Sequence, residues 1–232
     1  MALLNSIQRK ALVGAAALVS GSALLTMPAP TASAAPCPDV EVVFARGSGE
    51  PPGLGQVGGP FVDSLRPAIG TRSLGVYAVN YAASTDFSSA DFPKSVVEGI
   101  RDAGAHIQSM AANCPKTKEV LGGYSQGAAV AGYVTAASVP PGVPASQVPQ
   151  PLAPEIANHV AAVTLFGTPS ENFLNQYGAP QIAIGPLYQA KTIELCAPGD
   201  GICGDGDSPI AHVSYPVNGM VSQGADFAAS HL

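Results

Sequence analysis

The sequence predicts an α/β protein, with a mainly parallel sheet covered by helices on both faces. Three observations carry that prediction. Short apolar runs rich in β-branched residues alternate with segments of helical periodicity. One of the strand-to-helix junctions is Gly123-Tyr124-Ser125-Gln126-Gly127, a serine held between two glycines. The alternation also resumes after the one long Pro-rich stretch, so no break divides the chain.

The first 34 residues stand apart from this pattern. Arg9 and Lys10 precede an apolar run from Ala11 to Leu25, and Pro28-Ala29-Pro30 leads into Ala32-Ser33-Ala34. That order predicts a secretory signal peptide over 1–34, cleaved to release a secreted domain of residues 35–232. The apolar run is about fifteen residues, short of the roughly 20 that span a bilayer. No later segment is longer, so stable membrane insertion is not expected.

Ten basic residues face sixteen acidic ones, and two of the ten, Arg9 and Lys10, fall in the leader. The remaining chain carries eight against sixteen, a net −8. An acidic chain without a basic cluster is a poor nucleic-acid binder. A neutral or apolar substrate suits it better.

Within 35–232, Val40–Phe44 reads as a buried strand, and Leu74–Tyr81 as a second. Ser95–Cys114 reads as a helix, because Val96, Ile100, Ala103, Ile107 and Met110 recur at steps of three and four. Lys118–Tyr124 is a strand, and the alanine-rich Gln126–Ala137 a helix. Residues 138–154 carry six prolines and read as a surface loop. His159–Phe166 and Thr192–Cys196 are further strands, and Gly219–Ser230 a closing helix.

Four cysteines, Cys37, Cys114, Cys196 and Cys203, suit two disulfides in an exported chain. Three pairings are open. Cys196 and Cys203 flank a short Gly/Asp-rich turn and are paired on that ground, which leaves Cys37 with Cys114. The second bridge closes a long loop, worth about 4 kcal/mol in the chain-entropy account. A metal site is not expected, since no CxxC pair occurs and no histidine stands at ligand spacing. No cofactor is expected either.

The chemistry is read from Ser125. Small residues two before and two after let strand and helix approach closely, which pushes the serine hydroxyl up from the sheet edge. A serine nucleophile needs a base, and histidine is the usual one. Four are available. His106 lies in the helical repeat, His159 opens a strand, and His231 is penultimate. His212 follows the last strand, where the base of such a fold belongs. Asp200, Asp205 and Asp207 all qualify as its orienting acid. Asp200 is favoured because it sits inside the Cys196–Cys203 loop, which would fix its position. The same cluster could also be a solvated turn or a casual calcium site. Oxyanion donors are expected from the backbone of Gln126 and from Ser48, in the Arg46-Gly47-Ser48-Gly49 loop after the first strand. On position alone, Ser48 could equally be a turn serine.

Gly53-Leu54-Gly55-Gln56-Val57-Gly58 matches the dinucleotide pattern G-x-G-x-x-G. Glu50-Pro51-Pro52 separates it from the preceding strand, and the next strand ends without a carboxylate. The run is therefore read as a flexible loop.

Four blocks together resemble the cutinase family of serine esterases: Val43-Phe44-Ala45-Arg46-Gly47-Ser48, Gly122-Gly123-Tyr124-Ser125-Gln126-Gly127-Ala128-Ala129, Leu165-Phe166-Gly167, and Cys196-x3-Asp200-x2-Cys203 with His212 downstream. The resemblance runs from Cys37 to about Gly219. It implies an α/β-hydrolase with a five-stranded, mainly parallel sheet flanked by helices. It implies Ser125, Asp200 and His212 as a triad, Ser48 and Gln126 as the oxyanion hole, and the same two disulfides. The Pro-rich stretch looks longer than the family's usual connection, and the Asp205-Gly206-Asp207 segment differs in detail from fungal members. Ile210 and Val213, beside His212, are candidates for the acyl pocket. The expected function is hydrolysis of carboxylic esters by a secreted monomer. The alternative is a non-catalytic secreted protein that binds lipid or cell-envelope material on the same fold.

Overall fold

In the computed structural model, the described residues are 36–232 except Ala90. The expected signal peptide lies outside them. Five strands form one sheet: β1 (Val40–Ala45), β2 (Leu74–Ala78), β3 (Lys118–Tyr124), β4 (Val160–Phe166) and β5 (Thr192–Leu195). Their order is β2-β1-β3-β4-β5, and every neighbouring pair is parallel. Parallel strands need crossovers, and helices supply them. These are α1 (Gly55–Ala68), α2 (Phe92–Asn113) and α3 (Gln126–Val134), then the short α4 (Glu171–Gln176) and α5 (Pro186–Gln189), α6 (Pro209–His212) and α7 (Met220–Ser230).

Strand side chains alternate between faces, and each face has its own core. Val42, Phe44, Val120 and Phe166 face α1 and α7. Val43, Leu121, Val163 and Leu165 face α2 and α3. This is the two-sided cover that the alternating pattern predicts.

The order of the strands positions the site. From β1 the chain crosses outward to β2, then returns to place β3 on the other side of β1. The carboxyl ends of β1 and β3 therefore part company, and a crevice opens above them, as at the switch points of other open α/β sheets.

Several boundaries differ from those read in the sequence. β2 stops at Ala78 because the carbonyls of Tyr81 and Ala82 accept from the Arg46 guanidinium rather than from a neighbouring strand. α3 ends at Val134, where the Thr135 hydroxyl donates to the Gly132 carbonyl and ends the turn. α2 begins three residues early, with Pro93 in its first turn. The largest correction concerns the glycine-rich run. Gly55–Ala68 is a helix, not a flexible loop. Glycines and Pro60 weaken it, but Val57, Phe61 and Leu65 are fully buried on one face, and tertiary burial outweighs propensity. Gly58 lies flat against the Phe44 ring, where a side chain would collide.

Both disulfides join the expected partners: Cys37 with Cys114, and Cys196 with Cys203. No helix among the described residues is long and apolar enough to cross a membrane.

Candidate active site

Ser125 stands between β3 and α3 with φ 55° and ψ −117°. That conformation is rare outside glycine, costing on the order of 1–3 kcal/mol. The surroundings enforce it. A Cβ on Gly123 would fall on the Gly127 carbonyl, and one on Gly127 would fall on the Ala45 carbonyl. Only glycines let β3, α3 and β1 meet this closely. The Ser125 N–H is anchored on the Phe166 carbonyl at 2.8 Å.

His212 is the last residue of α6, a single turn that opens with Pro209 and is capped by the Ser208 hydroxyl accepting from the Ala211 N–H. Its Nε2 lies 2.9 Å from Ser125 Oγ, and its Nδ1 lies 2.8 Å from Asp200 Oδ2. Tyr124, next to the serine, stacks on the imidazole with ring centres 5.1 Å apart and donates its hydroxyl to the His212 carbonyl.

Asp200 is 1% exposed. Burial pushes its carboxyl up, but three donors outweigh that and hold it below the usual carboxylate range. They are the Tyr215 hydroxyl at 2.7 Å, the His212 ring and the Ile202 N–H at 2.8 Å. Burial also raises Tyr215, with the Asp200 charge adding to it against the Ala197 N–H. The phenol therefore stays a donor. The Cys196–Cys203 bridge closes the loop that carries Asp200, as the spacing anticipated. Sγ of both cysteines and a carboxylate oxygen of Asp200 cluster together, but the two sulfurs are bonded to each other and offer no thiolate to a metal.

The loop after β1 is locked by groups that the sequence reading passed over. Glu50 accepts from the N–H groups of Gly47 and Gln56, at 2.6 and 2.8 Å. Arg46, buried, donates to the carbonyls of Glu50, Tyr81 and Ala82. A buried arginine satisfied by carbonyls alone leaves no trace in sequence spacing. This loop presents Ser48, whose hydroxyl is buried and has no hydrogen-bond partner among the described residues. Gln126 opens α3, so its backbone N–H has no acceptor within the helix.

Ser48, Ser125, Gln126 and His212 all line one cavity of about 1600 Å³. Val213 lines it too. Ile210 does not, and is 78% exposed. On a helical turn, positions two apart differ by about 200°, so a turn that aims His212 inward aims Ile210 at solvent. An aromatic cluster lines the same cavity: Phe87 packs at a tilt against Phe92 and Tyr177, with ring centres 4.8 and 5.6 Å apart. The other histidines lie elsewhere. His106 stacks on Tyr77 and meets Glu41, and His231 contacts Phe227. His159 lends its carbonyl to the Glu119 N–H at the foot of β3. Asp205 and Asp207 are exposed.

Comparison with known proteins gives the family. The Cutinase family model matches residues 36–232. The chain is 74% identical to the probable carboxylesterase Culp7 of Mycobacterium tuberculosis over 164 residues, which is 71% of this chain and 88% of that protein. It is 47% identical to the carboxylesterase Culp1 of Mycobacterium bovis over 229 residues, 96% of this chain and 97% of that one. Among solved structures, a Trichoderma reesei cutinase bound to a phosphonate inhibitor matches with TM-score 0.57 and 34% identity, over 84% of this chain and 75% of its own.

Proposed function

The chain belongs to the cutinase family of carboxylic ester hydrolases, and from that premise we propose that it is a secreted serine esterase working through Ser125, His212 and Asp200. One observation carries the reading: an unbroken hydrogen-bond chain from Ser125 Oγ through His212 to Asp200, opening on a large apolar cavity.

His212 Nε2 takes the hydroxyl proton as Ser125 Oγ bonds to the ester carbonyl carbon. The carbonyl oxygen becomes an oxyanion, held by the Gln126 N–H and by Ser48. As the tetrahedral centre collapses, the bond to the alkoxy oxygen breaks and His212 protonates the departing alcohol. An acyl-serine remains. Water, deprotonated by the same imidazole, attacks it and releases the acid. Asp200 keeps the Nδ1 proton in place and stabilises the imidazolium, without itself taking the proton. The strained backbone at Ser125 keeps the nucleophile aimed before substrate arrives.

The leader over 1–34 is removed on export, and residues 35–232 act as a single domain. The two disulfides suit an oxidising compartment outside the cytoplasm. The test is hydrolysis of p-nitrophenyl esters by the purified, oxidised domain. Ser125→Ala is expected to lose about 10⁶ in kcat with an unchanged circular-dichroism spectrum. Turnover that survives the substitution would sink the assignment. No turnover by well-folded wild type on any ester would favour the lipid-binding alternative.

A further inference from the structure

Two backbone outliers border the residues assigned to the oxyanion hole. Among the described residues, only Ser125 and Ala83 carry a side chain at a φ in the left-handed region, 55° and 50°. Such a conformation persists only where the surroundings over-determine it. Around Ser125 the close packing at Gly123 and Gly127 does so. Ala83 lies between β2 and α2 and is 1% exposed. Neither it nor its neighbours Tyr81, Ala82, Ser84 and Thr85 line the cavity. The strained turn therefore acts on the site through other residues.

Two carbonyls of the turn make those connections. The Ala83 carbonyl accepts from the Gly49 N–H at 2.7 Å, one residue past Ser48. The Ser84 carbonyl accepts from the Gln126 side-chain amide at 3.3 Å. Gln126 is 4% exposed, and its Oε1 has no hydrogen-bond partner among the described residues. Only the NH2 end of an amide can face a carbonyl, so the link to Ser84 is kept although it leaves Oε1 unpaired. The turn itself is pinned from behind. Arg46 donates to the carbonyls of Tyr81 and Ala82, and the Tyr81 hydroxyl donates to the Arg46 carbonyl. The Ser84 N–H donates to Ser95 Oγ of α2 at 3.2 Å. Rotating Ala83 to a negative φ would swing the peptide planes beside it, and both carbonyls with them.

We propose that Ala83 and Ser84 are positioning residues for the oxyanion hole. Consecutive carbonyls of one strained turn hold the Ser48 loop, through Gly49, and the start of α3, through the Gln126 side chain. The proposal rests on the esterase reading and adds how its two donors come to share a target. Those donors belong to separate elements, Ser48 to the loop after β1 and Gln126 to α3. An oxyanion is stabilised by donors already aimed at one point before charge develops, and a misplacement of about 1 Å can cost about 10²-fold in rate. Glu50 ties Gly47, on the other side of Ser48, to Gln56 of α1. That bond fixes the loop to the fold, whereas the 83–84 turn fixes it relative to Gln126.

The test uses two substitutions that leave the triad and Ser48 untouched. Gln126→Met keeps the backbone N–H and nearly the side-chain volume, but removes the link to Ser84. Ser95→Ala frees the Ser84 N–H from α2, at a position that does not line the cavity and where a helix accepts alanine readily. Each protein is assayed on a p-nitrophenyl ester. Each is also titrated with an alkyl trifluoromethyl ketone, whose adduct on Ser125 places an oxyanion in the hole, and with the matching secondary alcohol, which has no carbonyl. kcat/KM is expected to fall about a hundredfold in Gln126→Met and about tenfold in Ser95→Ala. Ketone affinity is expected to fall by the same factors, and alcohol affinity to stay within about twofold. Ser95→Ala decides the matter even where Gln126→Met does not fold. Wild-type kcat/KM and ketone affinity in Ser95→Ala would overturn the proposal and leave the esterase in place. So would a loss of alcohol affinity equal to that of the ketone, which marks general damage to the cavity. Wild-type protein that neither hydrolyses an ester nor binds the ketone would remove the esterase reading and the proposal with it.

Discussion

Two histidine–carboxylate pairs flank the sheet, and the buried acids found at the two places, Asp200 and Glu119, behave in opposite ways. Above the carboxyl ends of the strands, His212 meets Asp200 at 2.8 Å. On the α2 side, His106 meets Glu41 at 2.7 Å, and Glu41 stands opposite Glu119 in the β1–β3 register. Asp200 and Glu119 are equally hidden, each 1% exposed. Yet Asp200 is held below the usual carboxylate range, while burial, with neighbouring Glu41 adding to it, pushes Glu119 up to about 8. The difference is the supply of donors. Asp200 receives a phenol, an imidazole and an amide. Both carboxyl oxygens of Glu119 lack a hydrogen-bond partner among the described residues. Burial alone neutralises an acid; burial among donors keeps it charged. Only the charged one can orient a histidine that must become cationic. Of the histidines in these two pairs, His212 is the one with a serine hydroxyl in reach, Ser125 Oγ at 2.9 Å.

The sharpest way to break the contrast is to make Asp200 resemble a neutral acid. Asp200→Asn preserves the shape but removes the charge and allows the wrong imidazole tautomer. Esterase kcat is expected to fall by about 10⁴, read in a steady-state assay on a short ester. A loss of tenfold or less would mean that His212 works without its carboxylate.

A milder change removes one donor. Tyr215→Phe takes the phenol from Asp200 and moves it toward the situation of Glu119. Its carboxyl is expected to rise, and kcat/KM to fall by about tenfold. The acid limb of the pH–rate profile is expected to shift to higher pH. A uniform loss at all pH values, with the limb in place, would mark Tyr215 as packing alone.

The smallest effect concerns stability at the other end. A carboxyl raised in the folded state keeps its proton where the unfolded chain loses it. Its contribution is therefore full below about pH 4.5 and is lost as pH rises toward about 8. Asp200 has the opposite sign: its contribution is present above its ordinary value of 3.8 and is lost as pH falls through its lowered value. Glu119→Gln is expected to remove the decline between pH 4.5 and 8, seen as a flatter plot of melting temperature against pH than that of wild type. Identical slopes would show that Glu119 shares its proton too loosely to matter.

The sequence disclosed some of these residues and concealed others for physical reasons. Ser125 was legible because its glycines answer a local steric demand. His212 and Asp200 were legible because their order along the chain and the cysteine loop restrict the choice. Tyr215 was not: a tyrosine three residues past a histidine has no local signature, and its value comes from meeting Asp200 across the fold. Arg46 and Glu50 were hidden for the same reason, since their partners are backbone groups brought near by folding. The α1 helix was misread because its glycines and two prolines speak against a helix locally, while its burial against β1 is not a local property. Ile210 was placed in the pocket by adjacency to His212, and the turn of α6 aimed it outward.

By itself, then, the sequence determined the alternation of strands and helices, the two disulfides and the residue types of the candidate triad, because each follows from periodicity, spacing or local sterics. Only the tertiary structure decided which buried carboxyl is charged, which groups lock the loop that carries Ser48, and that the Pro-rich stretch lines the cavity beside α2. Those depend on which groups meet across the fold, and the free energy of a buried polar or apolar group is set by its neighbours in space rather than along the chain.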